Sequence, residues 1–202
     1  MSILVAKLLV DTTQIKGELS MDLRVKRTRM NIREAFIVLA QKKKMKRITI
    51  KELSAEAMIN KATFYLHYHD LEDLVSEIED TTIKDIVESF GKVDSFFHNV
   101  DFFIQRFVDA MQRNREILLI FYENDRTAVI QTKLVNSLRY KIIDENPHIT
   151  FTKEMYIVLS FFLRAALDLG LYEEFGDYDA VFNAISNTIQ VVTMHYREKL
   201  IL

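Results

Sequence analysis

The chain has 202 residues, 49% of them hydrophobic, enough for one or two domains with a real core and too many for a disordered polypeptide. With 4 Gly and 1 Pro it lacks the turn punctuation of an all-β fold, so helices are expected; with no Cys it has no disulfide, thiolate zinc site or cysteine nucleophile, and a reducing cytoplasm is expected. The net charge of −2 conceals an asymmetry: Arg24 to Lys51 holds 11 Lys or Arg and one acid, Glu34, a balance of +10, while 16 bases and 28 acids elsewhere give −12. A basic segment on an acidic body points to a polyanion-binding module joined to a different one, the alternative being a solvated cationic face.

No apolar run reaches the roughly 18 residues of a transmembrane helix, so no membrane partner is expected. Met1 to Val10 is apolar but short, contains Lys7 and lacks a small-residue cleavage site, so it is a poor signal peptide. Met21 opens a basic amphipathic segment, and codons for Lys16-Gly17-Glu18 can read as a ribosome-binding sequence. Translation is therefore expected to start at Met21, with residues 1–20 an extension; a genuine N-terminal arm is the alternative, and a tryptic peptide covering Asp11–Lys16 would establish it.

Leu23 to about Lys46 reads as a helix, because Ile32, Ala35, Phe36 and Leu39 recur at helical spacing. Thr49 is a candidate N-cap, with Glu52 completing a capping box, and Ile50, Leu53 and Ala57 share one face of the short helix that follows. Met58-Ile59-Asn60 interrupts it, and Asn60 caps a second short helix, Lys61 to Tyr68. Asp70 caps a longer one with an apolar stripe of Leu71, Leu74, Val75, Ile78 and Ile86. After Gly91 come long apolar helical stretches, about Ser95–Arg113, Arg115–Glu123, Thr127–Asp144, Thr152–Tyr172 and Tyr178–Lys199, broken at Asn114, Asn124-Asp125, Asn146-Pro147-His148 and Gly176-Asp177. The expected organisation is 1–20 as the extension, 21–75 as a DNA-binding module and 76–202 as a helical module, with the boundary inside or just after the Asp70–Phe90 helix.

Two short helices about a turn apart, with Leu53 and Ala57 packing on Ile59 and Phe64, suit a helix-turn-helix whose second helix enters the major groove. Its exposed side is expected to show Lys61, Thr63, Tyr65, His67 and Tyr68, residue types that bond phosphates and base edges. The basic helix just before strengthens the reading, since phosphate contacts supply much of the affinity.

Thr49, Ile50, Leu53, Ala57, Ile59, Asn60, Thr63, Phe64, Tyr65, Tyr68, Glu72 and Leu74 match or conservatively replace a pattern. It is Thr-Ile-x-x-Leu/Ile-Ala-x-x-Ala-Gly-Val-Ser-x-x-Thr-Leu/Phe-Tyr-x-x-Phe, preceded by a basic helix and followed by an acidic one. Over Arg24 to Leu74 the chain thus resembles the tetracycline-repressor (TetR) family of transcription regulators. The resemblance implies an all-α fold of about nine helices, a three-helix N-terminal DNA-binding domain and a C-terminal helical domain that dimerises and binds an effector. It implies a homodimer on a double-stranded DNA operator, no cofactor and no catalysis, and DNA contacts, mostly to phosphates, from Thr49, Lys61, Thr63, Tyr65 and Tyr68, with Lys26 and Arg27 reaching backbone or minor groove; His67 joins the expected DNA contacts from its place on the exposed side of the second helix. The expected outcome is a ligand-responsive repressor. The C-terminal half, through Arg106–Asn124 and Phe161–Phe175, resembles the branch related to the activator of dihydroxyacetone-kinase operons. That leaves open an activator responding to a partner protein, and a non-specific basic helical module is a further alternative.

There are departures. Met58 stands where the family usually has the turn Gly and requires a left-handed conformation or a different turn. Leu71 stands where a phosphate-binding Lys is common. No Gly-rich phosphate loop, His-Glu-x-x-His or Gly-x-Ser-x-Gly is present, so an enzyme is not expected. His67 and His69 are two apart and do not share a helix face, and no metal is expected; His98, His148 and His195 are isolated. In the C-terminal module Phe103, Phe107, Met111, Tyr122, Tyr140 and Phe162 are either core or the lining of an effector pocket. Arg164 and Asp168, four apart in an apolar stretch, are either an ion pair at a helix–helix interface or a polar anchor in that pocket. The effector, small molecule or protein, is not specified.

Overall fold

The structure is a computed structural model that describes residues 3–92, 100–147, 150–171, 180, 183–184, 187–188 and 191, with residues 3–21, 100–101 and 169–171 described by their backbone alone. Among the described residues it is all-helical: α1 (Ile3–Ala40), a 3-10 helix (Met45–Arg47), α2 (Ile50–Glu56), α3 (Lys61–Tyr65), α4 (Leu71–Ser89), α5 (Val100–Arg113), α6 (Arg115–Glu123), α7 (Thr127–Glu145) and α8 (Lys153–Leu171). The expected helix Tyr178–Lys199 and the expected start of α5 at Ser95 lie largely outside the described residues, as do His98, His148 and His195. No described helix is long and apolar enough to cross a membrane. The chain divides into two compact units, residues 1–75 and 76–202.

In the first unit α1 packs on α2 and α2 on α3. Ile32 and Phe36, one helical turn apart, are fully buried with Leu53 and Phe64, which closes a small core from the apolar faces of the three helices. α1 departs from the expected Leu23–Lys46 at both ends. It includes residues 3–20, and it stops at Ala40. Continued as a helix, the chain would turn Met45 away from the side that carries Phe36 and Ala40. The 3-10 helix instead brings Met45 and Ile48 into the core, 8% and 6% exposed.

In the second unit α5 packs on α6 and α8, and α7 on α6 and α8. Phe90 stacks on Phe103 with ring centroids 4.2 Å apart and lies 5.9 Å from Phe107. Ile104, Leu118, Phe121, Leu134, Val135, Leu138, Leu163 and Leu167 are also buried.

Three helices stop alike, at a residue in the left-handed region: Met58 (φ 54) after α2, Gly91 (φ 64) after α4 and Asp125 (φ 61) after α6. After α6 the Arg126 N–H bonds the Phe121 carbonyl at 2.9 Å and the Asp125 N–H the Tyr122 carbonyl at 3.3 Å, so two carbonyl groups otherwise left open are satisfied in the turn that starts α7.

Candidate nucleic-acid interface

α2 begins where the sequence places its cap. Glu52 N–H donates to Thr49 Oγ1 at 3.2 Å, Thr49 N–H donates to Glu52 Oε2 at 3.0 Å, and the Thr49 hydroxyl donates to the same oxygen at 2.8 Å. Lys43 Nζ lies 2.6 Å from Glu52 Oε1. These bonds, the Lys43 one foremost and then those from Thr49, hold the Glu52 carboxyl at about 2, below its ordinary 4.5, against a small opposing effect of desolvation.

The turn after α2 is a complete two-bond helix stop. Ile59 N–H bonds the Ser54 carbonyl at 2.9 Å and Met58 N–H the Ala55 carbonyl at 3.1 Å, with Met58 left-handed between them. The conformation usually given to Gly is thus taken by a Met whose side chain is 93% exposed. Asn60 then caps α3: its Oδ1 accepts Thr63 N–H at 2.7 Å and the Thr63 hydroxyl at 3.0 Å. α3 is shorter than expected, ending at Tyr65; the His67 and Tyr68 N–H groups still bond the Phe64 carbonyl, at 2.9 and 3.0 Å. Asp70 opens α4 by accepting Asp73 N–H at 2.9 Å, while Asp73 accepts His69 N–H at 3.0 Å. A basic helix, a short capped helix, a tight turn and a second short capped helix are now in place, followed by an all-helical unit. This is a helix-turn-helix layout.

The chain is similar in part to known proteins. A stretch of 72 residues, 35% of this chain, is 36% identical to an HTH-type transcriptional regulator, YxbF, of Bacillus subtilis (strain 168), and covers 19% of that protein. The chain therefore spans about a fifth of the length of that curated relative. No protein-family model matches the chain. Among solved structures, the chain is similar to the TetR family repressor AlkX of Dietzia sp. strain DQ12-45-1b, implicated in biodegradation of n-alkanes, at 13% identity and a TM-score of 0.47, over 86% of this chain and 97% of that one.

Of the residues expected at DNA in this helix-turn-helix unit, Lys61 and Tyr65 are exposed on α3, Tyr65 at 56%, with its ring edge-on to Phe64 at 5.5 Å. Thr63 and His67 are half-buried and Thr49 is exposed; the hydroxyl protons of both threonines are engaged in caps, by Asn60 and by Glu52. Lys26 and Arg27 are exposed on α1, and Lys26 Nζ lies 2.8 Å from Asp22. Tyr68 requires a correction. It is 2% exposed, not on the open side of α3, because it follows Phe64 by four residues and turns the same way, its ring 5.6 Å from that of Phe64. Arg29 was not anticipated: its guanidinium covers the Tyr68 ring at 5.2 Å and its Nε donates to the Tyr68 hydroxyl at 3.4 Å. Among the described residues Arg27, Lys46, Arg47, Lys51 and Lys61 are exposed and in no ion pair.

The residues expected to line an effector pocket are not brought together. Phe103, Phe107 and Met111 are core, Phe103 and Phe107 against Phe90. Phe162 is half-buried, edge-on to Phe161, and Tyr122 is 40% exposed on α6. Tyr140, 66% exposed, lines a cavity of about 490 Å³ between α4 and α7, with Asp80, Ile83, Val87, Lys133 and Asn136. Arg164 and Asp168 are not directly paired among the described residues. Gln131 of α7 stands between them, accepting from Arg164 at 3.0 Å and donating to Asp168 at 2.9 Å. A partner on a neighbouring helix, invisible to spacing along α8, replaces the expected ion pair.

Sequence reading also missed Glu79. It falls within the apolar stripe of α4 and is fully buried, with Arg126 Nε at 2.7 Å and Lys133 Nζ at 3.0 Å. Lys133 also bonds Asp80 at 2.6 Å. Burial draws the Lys133 ammonium down, but the bonds it donates to Asp80 and Glu79 outweigh that and hold Lys133 above its ordinary 10.5. An acid preceding Asp80 in a run of helical acids gives no sequence signal that its partners lie 47 and 54 residues on.

Proposed function

We propose that the protein is a sequence-specific DNA-binding transcription regulator, a ligand-responsive repressor that acts as a homodimer. The observation that carries this reading is the capped α3, its exposed side presenting Lys61 and Tyr65 on a unit whose exposed Arg27, Lys46, Arg47 and Lys51 hold no ion pair. Such cations supply the sequence-independent attraction to phosphates, and α3 supplies discrimination at the base edges. Lys26, Arg27, Thr49, Lys61, Thr63, Tyr65 and His67 are the proposed DNA contacts. Lys26 reaches phosphate by releasing Asp22, an exposed pair of small worth.

A dimer presents two copies of α3 to half-sites about 34 Å apart. Exposed Ile157 and Phe161, four apart on α8 at 65% and 64%, support a partner helix on that face. The cavity beside Tyr140 is the proposed effector site. Effector there favours a dimer whose α3 helices no longer fit the half-site spacing.

The test is a titration of the full-length protein against a duplex selected from a random-sequence pool and a scrambled duplex of equal length, at several salt concentrations. A preference for the selected duplex that survives salt and is lost in the Lys61→Ala, Tyr65→Ala double variant supports the reading. Equal, salt-sensitive binding to both leaves only a basic patch.

A further inference from the structure

The exposed side of α3 is unusual in what it lacks. From Lys61 to Leu66 it carries no Arg, Gln or acid, so Lys61 is the one side chain of the segment that can reach guanine and none of them pairs with adenine or cytosine through two hydrogen bonds. Asn60, just before, has its Oδ1 occupied by the Thr63 N–H and hydroxyl, and the Thr63 proton is thereby engaged as well. Ala62 and Leu66 are exposed, Leu66 at 82%, and lie four apart with Leu66 N–H bonded to the Ala62 carbonyl at 3.1 Å. They therefore share one side of the helix, beside Lys61 and Tyr65.

A major-groove edge offers one apolar feature, the C5 methyl of thymine. We infer that α3 reads thymine methyl groups with Ala62 and Leu66. The inference rests on the proposed reading of α3 as the DNA-contacting helix and names its specificity. Lys61 and Tyr65 flank the aliphatic pair and hold it against the groove through phosphates or a single base acceptor. Each methyl enclosed by aliphatic carbon loses its water on binding, which strengthens the complex by about fourfold.

The experiment uses the full-length protein and the duplex it selects from a random-sequence pool. Thymines in the selected half-site are replaced one at a time by deoxyuridine, which removes only the methyl. The expected result is one or two positions at which replacement weakens binding about fourfold each, with no such loss in the scrambled duplex. Leu66→Ala, at an exposed position where folding is undisturbed, is expected to weaken the thymine duplex by a similar factor and to be insensitive to deoxyuridine there. A loss that persists undiminished in Leu66→Ala comes from altered duplex flexibility and overturns the inference. So does a selected duplex that tolerates every replacement; in that case the DNA-binding reading stands and the Leu66 side belongs to a protein partner. Absence of any selected sequence overturns the inference and the reading beneath it together.

Discussion

Arg29 of α1 covers the ring of Tyr68, 39 residues further along the chain, at 5.2 Å, and bonds its hydroxyl at 3.4 Å. The contact ties the basic helix to the segment just after α3, so Tyr68 fixes α3 from within and Tyr65 is left to face outward. The two tyrosines should therefore separate cleanly. Tyr68→Ala is expected to cost about 3–5 kcal/mol of stability, as for loss of a buried aromatic, and Tyr68→Phe about 1 kcal/mol or less. Tyr65→Ala should change stability by no more than about 0.5 kcal/mol and should weaken DNA binding. Denaturant unfolding and DNA titration of the three variants check this; a Tyr68→Phe protein that is fully stable yet loses DNA would return Tyr68 to the interface.

Met58→Gly relieves a left-handed backbone at an exposed position, and the stop it occupies needs no side chain. The expected gain is about 1 kcal/mol, somewhat reduced by the greater freedom of Gly in the unfolded chain. An unchanged or lowered Tm would show that the Met58 side chain has a packing role in solution.

Glu52 makes the cap of α2 acid-sensitive. Its folded value of about 2 lies below the unfolded 4.5, so its contribution is fully present above about pH 4.5 and is lost as pH falls towards 2. Glu52→Gln keeps the cap geometry but not the Lys43 pair, and should flatten stability across that window. Unfolding free energies of the wild type and Glu52→Gln measured from pH 5 to pH 2 should converge; parallel curves would remove Glu52 from the acid response.

In the second unit Glu79 on α4 is paired with Arg126 at the start of α7 and with Lys133 on α7. Truncating Arg126 to Ala leaves a buried carboxylate short of a partner, at an expected cost of about 3–5 kcal/mol, and Lys133→Ala acts in the same direction. Lys133 is held above 10.5, so its contribution is present below that pH and is lost as pH rises through the higher folded value. Thermal melts of Arg126→Ala at neutral pH, and of the wild type at rising alkaline pH, measure both effects.

Lys61→Gln tests the phosphate side of α3. Binding to selected and scrambled duplexes should weaken alike, and the slope of log affinity against log salt should fall by about one. A loss confined to the selected duplex would make Lys61 a base reader.

Local chemistry was legible in the sequence. Thr49 with Glu52, and Asn60, start helices because their side chains meet backbone groups three residues away, a relation that needs no tertiary partner. The apolar spacing of Ile32, Phe36, Leu53 and Phe64 likewise settled which sides face inward, whereas Met58 left open a left-handed residue or a different turn, and the structure shows the former. Tertiary structure decided the rest, because the deciding partners are distant. Tyr68 is core through Phe64 and Arg29, Arg164 and Asp168 are joined through Gln131 on another helix, and Glu79 is buried because Arg126 and Lys133 come to meet it. A periodic pattern fixes the side on which a residue lies. What stands opposite, and whether a polar group there is satisfied, depends on helices that meet only when the chain has folded.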